Sequence, residues 1–151
     1  SERKSNMKKR ILSFLLAALM LGSFVYATAT ELTELTPRAS LYLDGYGVGI
    51  SAKGGGKMTV SFVVYGTDVM DCLGAQKIVI EEWDGEDWLK TGTLTVEKNP
   101  DFYSYDASEH AASAHFYGLP GIQYRATLTA YAERNGGSDT GTVTSNPTTC
   151  K

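Results

Sequence analysis

Apolar and other residues alternate one by one along short segments of this chain, and this pattern limits the fold more than any other feature. It is clearest over residues 57–65, where one alternating set consists of Met58, Val60, Phe62 and Val64. Successive side chains of a strand point to opposite faces, so this set is expected in a core. Since no 3.6-residue amphipathic period follows residue 29, the sequence predicts an antiparallel all-β domain.

Six further strands are predicted from similar runs bounded by Gly, Asp and Asn. They cover residues 40–51, 77–83, 88–97, 111–117, 122–133 and 140–145. Ile78 and Ile80 share one side of the second of these, and Leu94 and Val96 share one side of the third. Seven short strands at this spacing favour a sandwich over a barrel.

The acidic segment 84–87 is predicted to turn the chain between two of these strands. A four-residue loop places Trp83 opposite Trp88, so the two indoles are expected to be cross-strand neighbours. Acids and glycine also occur in calcium loops, but tight turns use the same residues, and we favour the turn.

The N-terminus has the three regions of a secretory signal peptide. Lys8, Lys9 and Arg10 are followed by the apolar residues 11–25 and by Ala27-Thr28-Ala29, which predicts a start at Met7 and cleavage after Ala29. As a membrane anchor, about 15 interrupted residues fall short of the ~20 needed to span a bilayer. We therefore expect an extension and signal peptide over 1–29, a leader over 30–38 and one β domain over 39–151.

The chain after residue 29 is acidic. The first 29 residues hold five of the 14 basic and one of the 17 acidic residues, which leaves nine against 16, a net charge of −7. Nucleic acid and anionic membranes both require a concentrated basic face, so neither is expected as a partner. No cysteine follows the apolar segment to carry a lipid, and we expect a secreted, extracellular protein without a stable membrane anchor.

Two family resemblances support this interpretation. Residues 117–126 (YGLPGIQYRA), the following strand through Ala130-Tyr131-Ala132, a Gly-rich turn and a Ser/Thr-rich last strand resemble the final third of fibronectin type III domains. This resemblance implies that the Tyr124 hydroxyl reaches back to the backbone before its strand, although Phe62 stands where the second strand commonly carries Trp. Residues 73–78, 83–88, 124–126 and 137–140 are similar to small exported proteins of unknown function from Gram-positive anaerobes, which implies secretion and a sandwich and leaves the function open.

No catalytic, cofactor or metal site is predicted. His110 and His115 lie five positions apart, which places them on opposite faces of an extended chain and does not suit a shared metal. A Ser-His-Asp triad can be composed from Ser104 or Ser108, Asp106 and His110, but these residues lack the context of a nucleophile elbow.

The two acids Glu81 and Glu82 are also a poor catalytic pair. Adjacent residues alternate across a strand, so these carboxylates are not expected to act together as acid and base. An enzyme, in practice a hydrolase, is therefore the weakest of the functional classes.

Two kinds of non-catalytic function remain open. The first is an extracellular interaction or structural module that uses a strand edge or an aromatic surface. The second is a module that binds glycan or cell-wall polymer by stacking sugars on exposed rings. The candidate binding surface consists of Trp83, Trp88, Phe102, Tyr103 and Tyr105. The alternative for these rings, which we favour, is that they fill the sandwich core or cover the hairpin. Of the two functions, we place the interaction module first.

The two cysteines, Cys72 and Cys150, are expected to remain unpaired. Cys72 is placed in a loop between the second and third predicted strands, and Cys150 follows the last strand. These points lie at opposite ends of a fibronectin-type sandwich, whereas a disulfide needs α-carbons within about 7 Å.

The first prediction concerns export. Because the basic, apolar and small-residue regions are expected to act together, the protein recovered from culture medium should begin at Thr30, which N-terminal sequencing or intact mass would show. Stable precursor retained in the membrane would contradict the secreted interpretation.

Overall fold

The computed structural model describes residues 40–151, which form seven strands and one short 3₁₀ turn. The strands are β1 (Leu43–Gly54), β2 (Lys57–Trp83), β3 (Trp88–Thr95), β4 (Tyr103–Tyr117), β5 (Gln123–Arg134), β6 (Gly137–Thr144) and β7 (Thr148–Thr149), and the 3₁₀ turn is Pro100–Phe102. All pairings are antiparallel and connect the strands into one sheet, which confirms the predicted all-β class.

The predicted signal peptide, its cleavage site after Ala29 and the predicted leader lie outside the described residues. Within residues 40–151, no helix has the length and apolar character needed to cross a membrane.

The strand β2 is 27 residues long and joins two strands that the sequence predicted as separate. The loop predicted between residues 65 and 77 is wrong, and Cys72 lies inside β2 rather than in a loop. The reason is pairing: Cys72 lies opposite Tyr105 of β4 on one side and Glu133 of β5 on the other. These ladders satisfy the backbone polar groups that a loop would leave to water.

The two halves of β2 have different partners. The first half pairs with β1 and with residues 109–117 of β4. The second half pairs with residues 103–107 of β4 at its start, with β5 along its length and with β3 at its end. Strand β6 extends the second group by pairing with β5, and β7 adds two residues to the start of β5. The first group thus contains β1, the first half of β2 and β4, and the second contains β3, the second half of β2, β5 and β6. Strand β1 contacts β5 and β6 without pairing with either, so the core lies between the two groups.

The bend between the halves is built around Gly66. A Cβ at this position would lie 2.7 Å from Cγ of Met70, a fully buried side chain, so the close approach requires glycine. The register with β4 shifts between Tyr65 and Met70, as in a bulge, which increases local twist. An ion pair between Asp68 and Arg134, with an N–O distance of 2.7 Å, holds the bend against the end of β5.

The alternation predicted for residues 57–65 is confirmed. Met58, Val60, Phe62 and Val64 are each at most 2 % exposed. Ile78 and Ile80 are also buried on one face, as predicted, while Leu94 and Val96 of the β3 segment are partly buried against the core.

Other strand limits differ from the prediction. Strand β4 begins at Tyr103 instead of residue 111, because its first residues pair with the middle of β2. The short strand β7 was not predicted. The total of seven therefore results from a different division of the chain, with two predicted strands fused and one short strand added.

Both cysteines are buried free thiols, at 8 % exposure for Cys72 and 2 % for Cys150. Cys72 lies opposite Glu133, and the Cys150 N–H donates to the Ile122 carbonyl just before β5 begins. The eleven positions from Ile122 to Glu133 correspond to roughly 35 Å along a strand. The structure thus separates the two cysteines far beyond bonding distance. Burial, with the negative charge of Glu133, raises the pKa of the Cys72 thiol and lowers its reactive thiolate fraction.

The second prediction follows from this separation. Air-exposed monomer that is unfolded and alkylated without reduction should carry two modified cysteines by mass spectrometry, and the folded protein should react much more slowly because both thiols are buried. Reductant should leave the thermal midpoint unchanged. An intact Cys72–Cys150 link in the monomer would contradict the strand order.

Candidate functional site

The loop before β5 is fixed by Tyr124. This side chain is 3 % exposed, and its hydroxyl accepts a hydrogen bond from the Leu119 N–H at 2.9 Å, which is the arrangement that a tyrosine corner requires. A Cβ at Gly118 would lie 2.6 Å from Cε2 of Tyr124, so the ring packs directly on this backbone. Burial raises the pKa of Tyr124, and the Leu119 N–H partly offsets that shift.

Trp83 and Trp88 face each other across the β2–β3 hairpin, as the four-residue turn predicted. Their ring centroids are 5.3 Å apart and their planes are inclined by 52°. The Arg125 guanidinium lies 4.4 Å from the centre of the Trp88 ring, and its Nε donates to Glu81 at 2.9 Å. Because Arg125 covers one face of Trp88 and the indoles are not coplanar, the pair does not form one flat platform.

The turn between these tryptophans is organised by its first acid. Asp84 Oδ1 accepts hydrogen bonds from the N–H groups of Asp87 at 2.7 Å and Glu86 at 2.8 Å. These backbone donors, that of Asp87 first, lower the pKa of Asp84. The carboxylate therefore acts as an acceptor for its own turn.

The other three rings of the predicted surface are not next to the tryptophans. Phe102 is fully buried, with its ring edge-to-face against Phe62 at 5.3 Å, so its assignment to a binding surface is wrong. The 3₁₀ turn that ends at Phe102 packs on Gly74 of β2, where a Cβ would overlap the Phe102 carbonyl oxygen. Tyr103 is half-buried and lies 5.6 Å from the ring of Tyr131, and burial raises its pKa to about 12. Tyr105 is 68 % exposed.

The Trp pair and the Tyr pair lie on the same face of the second strand group but at opposite ends of it. Tyr103 and Tyr131 both lie opposite Gly74, nine positions before Trp83 in β2. At about 3.3 Å per residue this spacing is roughly 25–30 Å, so the rings form two separate clusters. The register places a band of threonines between them on this face: Thr93, Thr95, Thr127, Thr129, Thr142 and Thr144.

The histidines of β4 have separate backbone and side-chain partners. His110 lies opposite Val64 and its Nε2 is 2.6 Å from the Asp101 carbonyl, while His115 lies opposite Thr59 and its Nδ1 is 2.9 Å from the Thr59 hydroxyl. They occupy opposite faces of β4. Among the described residues, no hydrogen bond joins His110 to the triad candidates Ser104, Ser108 or Asp106, and no group of three His, Cys, Asp or Glu side chains forms a possible metal site.

A cleft of about 490 Å³ opens between β3 and the end of β4. Its apolar wall includes Ile80, Leu94 and Phe116, and its polar groups include the Glu82 carboxylate and the Tyr124 hydroxyl, which donates to Glu82 Oε2 at 3.3 Å. Glu82 is the only charged residue among the described residues that line the cleft. The volume lies within the range of sites that bind small molecules or side chains.

Exposed apolar side chains surround this cleft. Tyr117 is 76 % exposed and Leu119 is 66 % exposed, and both line it. Leu89 is 47 % exposed and lies opposite Glu82 on β3. A cluster of large apolar residues around a concave region is typical of a contact surface, whereas single scattered ones are not.

Sequence analysis missed the cleft, because its lining comes from two parts of the chain, the β2–β3 hairpin and residues 116–124, whose contact no local pattern reveals. One local feature indicated it. Glu82 continues the alternation of Ile78 and Ile80, so an acid lies at the end of an apolar face.

No protein-family model, curated protein or solved structure gives a significant match to this chain.

The third prediction tests the corner. Tyr124→Phe removes the hydroxyl that serves Leu119 and Glu82, and it should cost about 1 kcal/mol of unfolding free energy. Tyr124→Ala should cost roughly 3–5 kcal/mol, as large aromatic truncations do. Tyr117→Phe is the control, expected within about 0.5 kcal/mol because that side chain is exposed. Denaturant unfolding measures all three, and an unaffected Tyr124→Ala would contradict the assignment.

Proposed function

We propose that this chain is an exported, non-catalytic interaction module with an immunoglobulin- or fibronectin type III-like sandwich fold. It binds an extracellular protein at the cleft between β3 and the end of β4. The observation that carries the proposal is the group of exposed apolar side chains at this cleft: Tyr117 and Leu119 line it, and Leu89 lies opposite Glu82, which also lines it.

The strand pairings support the sandwich. In fibronectin type III domains, three strands face four. Here β1, the first half of β2 and β4 form one group, and β3, the second half of β2, β5 and β6 form the other. The corner at Tyr124 lies between the groups in the place that the resemblance implies. The fusion of two strands into β2 is the main departure from that pattern.

Export rests on the predicted signal peptide and on the resemblance to small exported proteins of Gram-positive anaerobes. Of the segments that carry this resemblance, residues 124–126 include Tyr124, which lines the cleft.

Glycan binding is the second candidate, and one observation favours it. Trp83, Asp84 and Gln123 line a shallow depression of about 410 Å³ beside the hairpin. The Trp83 ring is partly exposed, and an accessible ring with a carboxylate and an amide nearby is a combination that stacks and hydrogen-bonds sugars. This site lies outside the first cleft, so the two candidates can be separated by mutation.

The fourth prediction locates the contact surface. A benzoylphenylalanine photocrosslinker at position 117 should give one discrete protein adduct when the secreted protein is irradiated among its producing cells. The same group at position 105, which is 68 % exposed in the native protein, should give none. The adduct should disappear when Leu89 and Leu119 are both replaced by Glu, since two charges oppose apolar contact.

Equal adducts at positions 117 and 105, or none at either, would contradict the proposed surface. A polysaccharide adduct that is removed by glycosidase, together with glycan-array binding that Trp83→Ala abolishes, would instead support the second candidate.

A further inference from the structure

The carboxylate of Glu82 has no counter-charge in the described part of the chain. The two ion pairs found there are Glu81–Arg125 and Asp68–Arg134. The one hydrogen bond recorded for the Glu82 side chain comes from the Tyr124 hydroxyl, at 3.3 Å. A half-buried carboxylate beside apolar walls loses part of its hydration, and pairing with a positive charge offsets that cost. Since the described part of the chain supplies no such charge, a ligand would have to bring it.

The neighbouring acid, Glu81, lies on the opposite face of β2 and does have a counter-charge. Glu81 points to the outer face, where Arg125 lies directly opposite it and pairs with it. Glu82 lies opposite Tyr124 in the same two strands, on the inner face. Since Arg125 is engaged by both Glu81 and the Trp88 ring, it does not serve Glu82.

The walls of the cleft suit an apolar stem that ends in a positive charge. Ile80, Leu94 and Phe116 supply apolar surface, and Glu82 supplies the one negative group. Lysine and arginine side chains carry several methylene groups below their charge, and these can be buried while the charge is paired. A neutral apolar side chain would fill the same volume but would leave Glu82 unpaired.

The edge of β3 beside the cleft favours an extended ligand. Strand β3 pairs only with β2 among the described strands, so its other edge presents backbone N–H and C=O groups. Extended peptides bind such edges by adding a strand, and their alternate side chains enter adjacent pockets. A strand running along β3 would direct one side chain in two toward the cleft.

We infer that the cleft binds the lysine or arginine side chain of an extended segment of the partner protein, with Glu82 as its counter-charge. This inference rests on the proposed function and specifies the chemistry of the partner. It assigns recognition to a carboxylate on the inner face of β2, while the neighbouring Glu81 stabilises the outer face.

The fifth prediction uses three acetylated, amidated peptides of sequence Thr-Leu-Thr-Xaa-Thr-Leu-Thr, in which Xaa is Lys, norleucine or Glu. Titration into the secreted protein, followed through the methyl signals of Ile80 and Leu94, should show the Lys peptide binding on the order of tenfold more tightly than the norleucine peptide at low salt, because a charge-assisted hydrogen bond is gained. The Glu peptide should bind most weakly.

The matched variants are Glu82→Gln and Glu81→Gln. Glu82→Gln should abolish the advantage of Lys over norleucine, while Glu81→Gln should preserve it. The glutamine oxygen can still accept the Tyr124 hydrogen bond, and unchanged methyl signals of the free variant would show an intact fold. Equal binding of the Lys and norleucine peptides to the native protein would overturn the inference, as would equal losses in the two variants.

The two proposals can fail separately. A discrete adduct at position 117 without any preference for Lys would support the proposed contact surface. It would contradict the inference that a basic side chain binds there. Lys selectivity that depends on Glu82, without an adduct at position 117, would support binding of a basic side chain in the cleft. It would also show that the exposed residues Leu89, Tyr117 and Leu119 are not part of the contact surface.

Discussion

A strand has only two hydrogen-bonding edges, yet β2 pairs with four other strands, and the remaining structure depends on how it does so. Along one edge β1 is succeeded by β5, and along the other β4 is succeeded by β3. The first exchange takes place between Gly66, which lies opposite Leu43, and Cys72, which lies opposite Glu133. The second takes place between Gly74 and Lys77. One strand thus organises both groups and the core between them.

The position of the cleft follows from this exchange. Strands β4 and β3 occupy the same edge of β2 one after the other, so they do not pair with each other. Because β2 folds back, the end of β4 beyond Phe116 comes to lie across from the middle of β3, and both contribute to the cleft. Glu82 and Tyr124 lie there because β2 and β5 pair up to that end. The geometry of one strand therefore sets both the shape and the charge of the proposed site.

Local alternation predicted several features because it reports directly on the environment of each strand. It gave the buried set from Met58 to Val64 and the opposite faces of Glu81 and Glu82, while the length of the turn gave the opposition of Trp83 and Trp88. It could not predict the continuity of β2, since the segment 66–76 contains Gly and Asp residues that are typical of turns. Pairing with β4 and β5 decides its conformation, and strand preference is known to depend on such context.

Two further errors have the same origin. Phe102 belongs to a segment without periodicity, so nothing local distinguishes a core ring from a surface ring, and only its contact with Phe62 does so. The first residues of β4 are polar and exposed on many positions, yet their partners lie in the unpredicted middle of β2. A long-range pairing that is missed on one strand is therefore missed on the other as well.

The opposite placement of Ser40 and Lys151 has a mechanical consequence. Ser40 is hydrogen-bonded to Asp139 near the β5–β6 turn, and the Lys151 carbonyl accepts the Gly56 N–H at 2.8 Å near the β1–β2 turn. Tension between these two residues would act along β1 and would load its hydrogen bonds with β2 in parallel, by shear, instead of opening them one after another. On the β1 side, extension requires the ladder from Leu43 to Gly54 to yield at once, whereas at the other end only the two residues of β7 pair with β5. The start of the described domain therefore resists stretching more strongly than its last strand, which should detach first.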